Sequence, residues 1–134
     1  MYNNSNAEQF NLDHECFEDV CWRDLSVGKI IKIQKNDTIP ADVLILKSSS
    51  PNGFSYLQTS SLDGETGLKP REAIYKMQNL INGEKDLANL KGEISVDPPS
   101  ENIYSINGNL NFEDNLYYFS VNNTLLRVSK LNII

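Results

Sequence analysis

The sequence has few of the residues that metal-dependent and nucleophilic enzymes most often use. Among 134 residues there are two cysteines and one histidine. Cys16 and Cys21 lie at a spacing that matches no zinc pattern, so we expect free thiols in a reducing, cytosolic compartment. His14 would need at least two ligands of other residue types to hold a metal, and it stands in an acidic stretch. We therefore expect His14 to be a solvated surface residue and the chain to have no metal site.

Excess positive charge and long apolar runs are also missing. Twelve basic residues stand against 18 acidic ones, which gives a formal net charge of -6, and no basic stripe is visible. This composition argues against binding to nucleic acid or to an anionic lipid surface. No stretch approaches the roughly 20 apolar residues that cross a bilayer, and the polar start, Met1 to Asn6, does not resemble a signal peptide. We expect this chain to be soluble.

The residues that are present suit one small domain built mainly from strands. The chain is 40% hydrophobic and 22% charged, enough apolar material for a core. The first 26 residues are polar and predict at most an edge strand. Residues 75–90 show helical spacing interrupted at Asn82-Gly83, which predicts one broken helix or two short ones. Alternating or short apolar runs predict strands at 27–34, 41–46, 54–59, 92–96, 102–110, 116–119 and 124–131.

One loop has a cluster of carboxylate and hydroxyl side chains that could take part in catalysis and that packing of a core does not explain. It reads Asp63-Gly64-Glu65-Thr66. A glycine before the acid permits a positive φ and presents the carboxylate at a tip, where it could orient a water and take its proton. The alternative is a plain hairpin turn, because Asp-Gly is among the strongest hairpin signals. Spacing by itself favours the turn.

Three longer strings give the loop a context. They are Trp22 to Ile31, Asn36 to Leu46 and Leu62 to Arg71, followed in order by Gly92-Glu93-Ile94, a proline corner, Asn102 to Gly108 and Leu125-Leu126-Arg127. Together they resemble the actuator domain of P-type ATPases. The form Asp-Gly-Glu-Thr, with Leu68 and Lys69 following, is similar to the phospholipid-flipping subfamily, whereas the ion pumps have Thr-Gly-Glu-Ser or Thr-Gly-Glu-Thr at this loop. The resemblance divides the chain into an N-terminal segment, 1–21, and an actuator domain, 22–134.

The resemblance implies a fold and a mechanism. The fold would be a distorted jelly roll with one or two short helices, which agrees with the mainly β pattern. Glu65 would position and activate the water that hydrolyses an aspartyl phosphate, with Asp63, Gly64 and Thr66 shaping the loop around it. Pro40-Ala41-Asp42 would be scaffold. Lys69 and Arg71 would either contact the phosphorylation domain or nucleotide region or be solvated.

The same resemblance implies the setting of the whole protein. It would be an ATP-hydrolysing phospholipid translocase that uses ATP and Mg²⁺, with this segment at the cytosolic face of a membrane. Its partners would be the phosphorylation and nucleotide-binding domains and membrane helices of the same chain, with an accessory membrane subunit. The segment alone carries no cofactor and lacks the Asp-Lys-Thr-Gly-Thr string of the phosphorylated aspartate, so it would not be competent alone.

Departures from the family pattern keep two alternatives open. Gly67 stands where the flippases have asparagine, Val128 stands where they have glycine, and Ile133-Ile134 replace Asn-Thr. One alternative is a regulatory or docking module without pump activity, for example fused to a guanylate cyclase. The other is a freestanding small β-rich binding protein.

Overall fold

Antiparallel strands dominate the computed structural model of this chain, which describes residues 5–60, 64–97, 106–125 and 130–132. This confirms the mainly β prediction with two short helices. The strands are β1 Asn6–Asn11, β2 Cys16–Cys21, β3 Ile31–Lys32, β4 Val43–Leu44, β5 Phe54–Gln58, β6 Leu68–Glu72, β7 Gly92–Val96, β8 Asn107–Phe112, β9 Asn115–Ser120, β10 Thr124–Leu125 and β11 Lys130–Asn132. The helices are α1 Tyr75–Leu80 and α2 Glu84–Ala88, and Trp22–Asp24 and Val121–Asn123 form 3-10 turns.

The strands form small sheets rather than a closed barrel. Within the described ranges the orders are β2-β1-β3, β10-β4, β11-β5-β6 and β7-β8-β9, and every pairing is antiparallel. Strand β6 is therefore the outer strand of its sheet. Pro70 fits there, because proline cannot donate a ladder hydrogen bond and is tolerated at sheet edges.

The N-terminal region is more regular than the sequence predicts. The sequence predicts at most one edge strand here. In the structure β1 and β2, of six residues each, form a hairpin, and β1 also pairs with β3. Asn11 closes the turn, since its side-chain oxygen accepts hydrogen bonds from the backbone of Asp13 and His14. The rings of Phe10 and Phe17 meet edge to face at 5.3 Å. Polar and charged residues make up much of both strands, which hid the hairpin in the sequence.

Several predicted boundaries move. The strand expected over 27–34 is reduced to β3, since Gly28 has a φ of +90° and lies in a turn. The strand expected over 41–46 shortens to β4, and β6 was not predicted. The expected strands at 54–59, 92–96 and 116–119 and the helix break near Gly83 are confirmed. Parts of the expected strands 102–110 and 124–131 lie outside the described residues.

Two hydrophobic clusters hold these elements together. The first cluster consists of Phe10, Ile74, Met77, Ile81, Leu87, Leu110, Phe112 and Phe119. The second cluster consists of Ile39, Ile45, Leu57, Ala73, Leu125 and Leu131. Ala73 and Ile74 are consecutive yet belong to different clusters, so the residues just after β6 are anchored in both. No helix in the described parts of the chain has the length and apolar character to cross a membrane.

Candidate active-site loop between β5 and β6

The candidate loop, residues 59–67, connects two paired strands of one sheet. Gln58 at the end of β5 is opposite Leu68 at the start of β6. In a two-residue turn at Asp63-Gly64, strand pairing would continue up to the residues that flank those two. The observed pairing ends at Gln58 and Leu68, well before them. The plain hairpin turn is therefore wrong. Asp63 lies outside the described residues, which include 59, 60 and 64–67 of this loop.

The β5 end of the loop rests on a packed support. Leu57 and Thr59 at the end of β5 are almost completely buried, and Leu57 belongs to the second hydrophobic cluster. The backbone N–H of Gly64 donates to the carbonyl of Ser60 at 2.9 Å, which closes a turn within the loop. A loop carried on such a support can present a reactive group at a defined position.

Glu65 stands at the surface of this loop. Its side chain is 65% exposed, and Gly64, Thr66 and Gly67 are exposed around it. Gly64 has a φ of +73°, the left-handed conformation that the sequence led us to expect before the acid. The structure therefore brings Gly64, Glu65 and Thr66 together at one exposed site. An exposed carboxylate in such a loop can reach a group on another domain and accept a proton from a water there.

Lys69 forms an ion pair with the Glu65 side chain. Its ammonium nitrogen is 2.9 Å from a carboxylate oxygen of Glu65, and its own side chain is 29% exposed. The sequence interpretation placed Lys69 against another domain or in solvent, and did not foresee this pair. At this exposure an ion pair contributes at most about 1 kcal/mol, so it orients the acid without locking it.

Arg71 is buried, so the solvated interpretation is wrong for this residue. It is 8% exposed, its Nη1 donates to the carbonyl of Pro70 at 3.0 Å, and its Nε has no hydrogen-bond partner in the structure. Burial lowers the pKa of the guanidinium. Strand register decides this burial, since Arg71 is paired with the buried Ser55 on β5. No single-sequence pattern marked it.

The other residues considered in the sequence lie elsewhere. His14 is exposed, as expected, and its hydrogen bond with Glu18 raises the pKa of its imidazole. Cys16 and Cys21 are free thiols, as expected. The described residues contain no cluster of three or more His, Cys, Asp or Glu side chains arranged to hold a metal ion. Pro40 and Asp42 lie between the buried Ile39 and strand β4.

Comparison with known proteins identifies relatives along most of the chain. No family model matches it. Phospholipid-transporting ATPase DRS2 of Saccharomyces cerevisiae is 36% identical over 129 residues, which cover 96% of this chain and 9% of that protein. The chain is homologous to one segment of the phospholipid-transporting P-type ATPases.

Two further phospholipid-transporting ATPases support the relationship. Phospholipid-transporting ATPase tat-1 of Caenorhabditis elegans is 38% identical over 82% of this chain and 10% of that protein. Phospholipid-transporting ATPase ID of Homo sapiens is 40% identical over 79% of this chain and 9% of that protein. The chain thus spans about a tenth of the length of these curated relatives. The resemblance to this family noted in the sequence is confirmed.

Proposed function

We propose that this chain is the actuator domain of a phospholipid-transporting ATPase. In this proposal the carboxylate of Glu65 positions and activates the water that hydrolyses the aspartyl phosphate. The observation that supports the proposal most directly is the exposed carboxylate of Glu65, held on a glycine turn above a packed sheet. The homology to phospholipid-transporting ATPases over most of the chain supplies the setting in which such a loop has a substrate.

The proposed chemistry needs one proton transfer and one in-line attack. Glu65 accepts a proton from a water as that water attacks phosphorus, and the aspartate carboxylate leaves. Gly64 and Thr66, with Asp63, shape the backbone that faces the phosphate. The ion pair with Lys69 has to loosen when the loop docks, because the Glu65 carboxylate then turns toward the water. A pair of this modest strength suits such an exchange of partners.

The remaining features of the whole protein belong to the same proposal. ATP with Mg²⁺ would supply the phosphoryl group in another domain of the longer protein. Residues 22–134 would form the actuator domain at the cytosolic face of a membrane, following the segment 1–21. Rotation of this domain would couple hydrolysis to membrane helices that move a phospholipid, and an accessory membrane subunit would complete the assembly.

The Glu65→Gln substitution in the longer protein tests the role of the acid. Glutamine keeps the size of the side chain but cannot take the proton, so we expect decay of the phosphoenzyme to slow by about 100-fold or more and the phosphoenzyme to accumulate. The measurement is a chase of phosphoenzyme labelled from radioactive ATP. Glu72→Gln is the matched control, since Glu72 is an exposed carboxylate on the adjoining strand β6. Wild-type decay in Glu65→Gln would contradict the proposal.

A second candidate function is a docking or regulatory module without pump activity, for example fused to a guanylate cyclase. Gly67 favours it, because this position beside Glu65 carries no side chain and nothing lies within 4 Å of where a Cβ would stand. The two candidates differ in whether the longer protein forms a phosphoenzyme from ATP. If it forms one, the pump assignment stands; if it forms none, the docking module is the correct assignment.

A further inference from the structure

Arg71 is a buried cation. Within the described residues no carboxylate oxygen lies within ion-pair distance of its guanidinium, and its Nε lacks any hydrogen-bond partner. The one hydrogen bond of its side chain goes to the carbonyl of Pro70, its neighbour in the chain. An arginine offers five N–H donors in a fork and stays charged at neutral pH, and its Nε donor is unused here.

The surroundings of Arg71 make this arrangement costly. Side chains that face each other across an antiparallel pair project from the same side of the sheet, and they alternate sides along each strand. Arg71 therefore shares one side of the β5–β6 pair with Leu57 and Ala73, both members of the second hydrophobic cluster. Desolvation is the cause that lowers the pKa of the guanidinium. A charge kept in such a place without compensation destabilises the fold by itself.

A second cation lies beside it on the same strand. Lys69 is two residues before Arg71, so it projects from the same side of β6, and it reaches Glu65 with its ammonium group. An anion placed beside Arg71 would accept a hydrogen bond from its Nε and give the guanidinium an opposite charge.

We propose that Arg71 is a docking site for an oxyanion, a phosphoryl group or a carboxylate, which reaches β6 from another domain of the longer protein. The identity of that source rests on the proposed function, in which the neighbouring loop meets a phosphorylated domain. The guanidinium fork matches two oxygens of either group. Strand β6 is the outer strand of its sheet, so local opening of this strand, with release of the Asn123 side chain from the Glu72 carbonyl, would admit the anion to the buried Nε.

Thermal unfolding of the 134-residue chain tests the site directly, since both hydrophobic clusters lie within it. Wild type, Arg71→Met, Arg71→Lys and the control Lys85→Met are melted in chloride, acetate and inorganic phosphate at equal ionic strength. Lys85 is an exposed lysine of α2, so its removal changes net charge equally. We expect phosphate or acetate to raise the Tm of wild type and Lys85→Met by about 3 °C relative to chloride.

The two Arg71 variants should lose this response. We expect Arg71→Met to melt at or above the wild-type Tm in chloride and to show no anion-specific shift. If Arg71→Met does not fold, Arg71→Lys decides, because an ammonium lacks the two-donor fork and should keep less than half of the shift. A larger shift in phosphate than in acetate identifies a phosphoryl group as the ligand, and the reverse identifies a carboxylate.

Three results would overturn the inference. They are an absent shift in wild type, an equal shift in wild type and in the folded Arg71 variant, and an Arg71→Lys variant that keeps the full wild-type shift. This failure is distinct from failure of the proposed function. Normal phosphoenzyme decay in Glu65→Gln would remove the catalytic role of the loop and leave the anion response of Arg71 untouched.

Discussion

At the scale of single residues, the two glycines around Glu65 have different conformational roles. Gly64 has a φ of +73°, which an L residue adopts only with strain, whereas Gly67 is not in the left-handed region. Neither position is crowded, since nothing lies within 4 Å of a Cβ built on either one. Gly64 and Gly67 therefore differ in backbone conformation and not in crowding. The same substitution at both positions measures the free-energy cost of the left-handed conformation at Gly64.

We expect Gly64→Ala to destabilise the chain by about 1 kcal/mol, because alanine is strained in the left-handed conformation that this position has. Gly67→Ala should be neutral or stabilise by up to about 1 kcal/mol, since it restricts only the unfolded chain. Urea unfolding of the 134-residue chain measures both. Equal free energies of unfolding for the two variants would show that the conformation of Gly64 does not constrain the loop.

The conformation of the candidate loop was easier to predict from the sequence than the burial of the residues on the strand beside it. The positive φ of Gly64 could be predicted locally, because Asp-Gly is typical of turns and glycine adopts a positive φ without strain. The burial of Arg71 depends on its pairing with Ser55 and on which side of the sheet that pair faces. A one-residue change of register would have turned the guanidinium outward, and nothing local in the sequence fixes that register.

At the scale of elements, one glutamine of helix α1 holds the segment that leads into β5. The Oε1 atom of Gln78 accepts from the backbone N–H of Ser48 at 2.7 Å. Its Nε2 donates to the carbonyls of Ser48 at 2.9 Å and Ser50 at 3.1 Å. Gln78 is buried, so these backbone groups have little access to water as a replacement. The helix thus fixes the start of the strand that carries the candidate loop.

We expect Gln78→Ala to lower the free energy of unfolding by about 2 to 4 kcal/mol, because the N–H and carbonyl of Ser48 lose their partner in a buried place, while the Ser50 carbonyl keeps its bond from the Gly53 N–H. Asn79→Ala is the matched control. Its amide donates to the carbonyl of Tyr75 within the same helix at an exposed position, so we expect a change of about 0.5 kcal/mol or less. Denaturant unfolding of the 134-residue chain measures both. A similar loss in both variants would mean that Gln78 contributes only helix propensity.

Elements were predictable from the sequence where one face of a long segment is apolar. The helix pattern over 75–90 was found with its break near Gly83, because Met77, Ile81 and Leu87 all enter the first hydrophobic cluster. Strand β6 was missed for the opposite reason, as its sequence contains proline and three charged residues. Such a strand is held by its partner β5 and not by its own propensity.

At the scale of the whole molecule, the N-terminal hairpin shares a core with the rest of the chain. Phe10 of β1 is buried in the first hydrophobic cluster with Met77 of α1 and Phe119 of β9. Strand β1 also pairs with β3, and the indole N–H of Trp22 donates to the carbonyl of Asn6 at 3.2 Å. The sequence set a boundary between residues 21 and 22. These contacts cross it, so we expect residues 22–134 to depend on the hairpin for stability.

The Phe10→Ala substitution tests whether the hairpin and the rest unfold as one unit. Removing a buried ring should cost about 3 to 5 kcal/mol. The control is Leu12→Ala in the turn of the same hairpin, where Leu12 is 65% exposed and little burial is lost. Unfolding is followed by the fluorescence of Trp22, the single tryptophan, and by far-ultraviolet circular dichroism.

One unit predicts that both signals of Phe10→Ala shift together to the same lower midpoint, because the first cluster is shared by hairpin, helix and sheet. If only the Trp22 signal moved, or if Phe10→Ala matched Leu12→Ala, residues 1–21 would be an appendage and the domain would begin at Trp22. That distinction bears on the proposed rotation, because a hairpin built into the core has to move with the candidate loop as one rigid body.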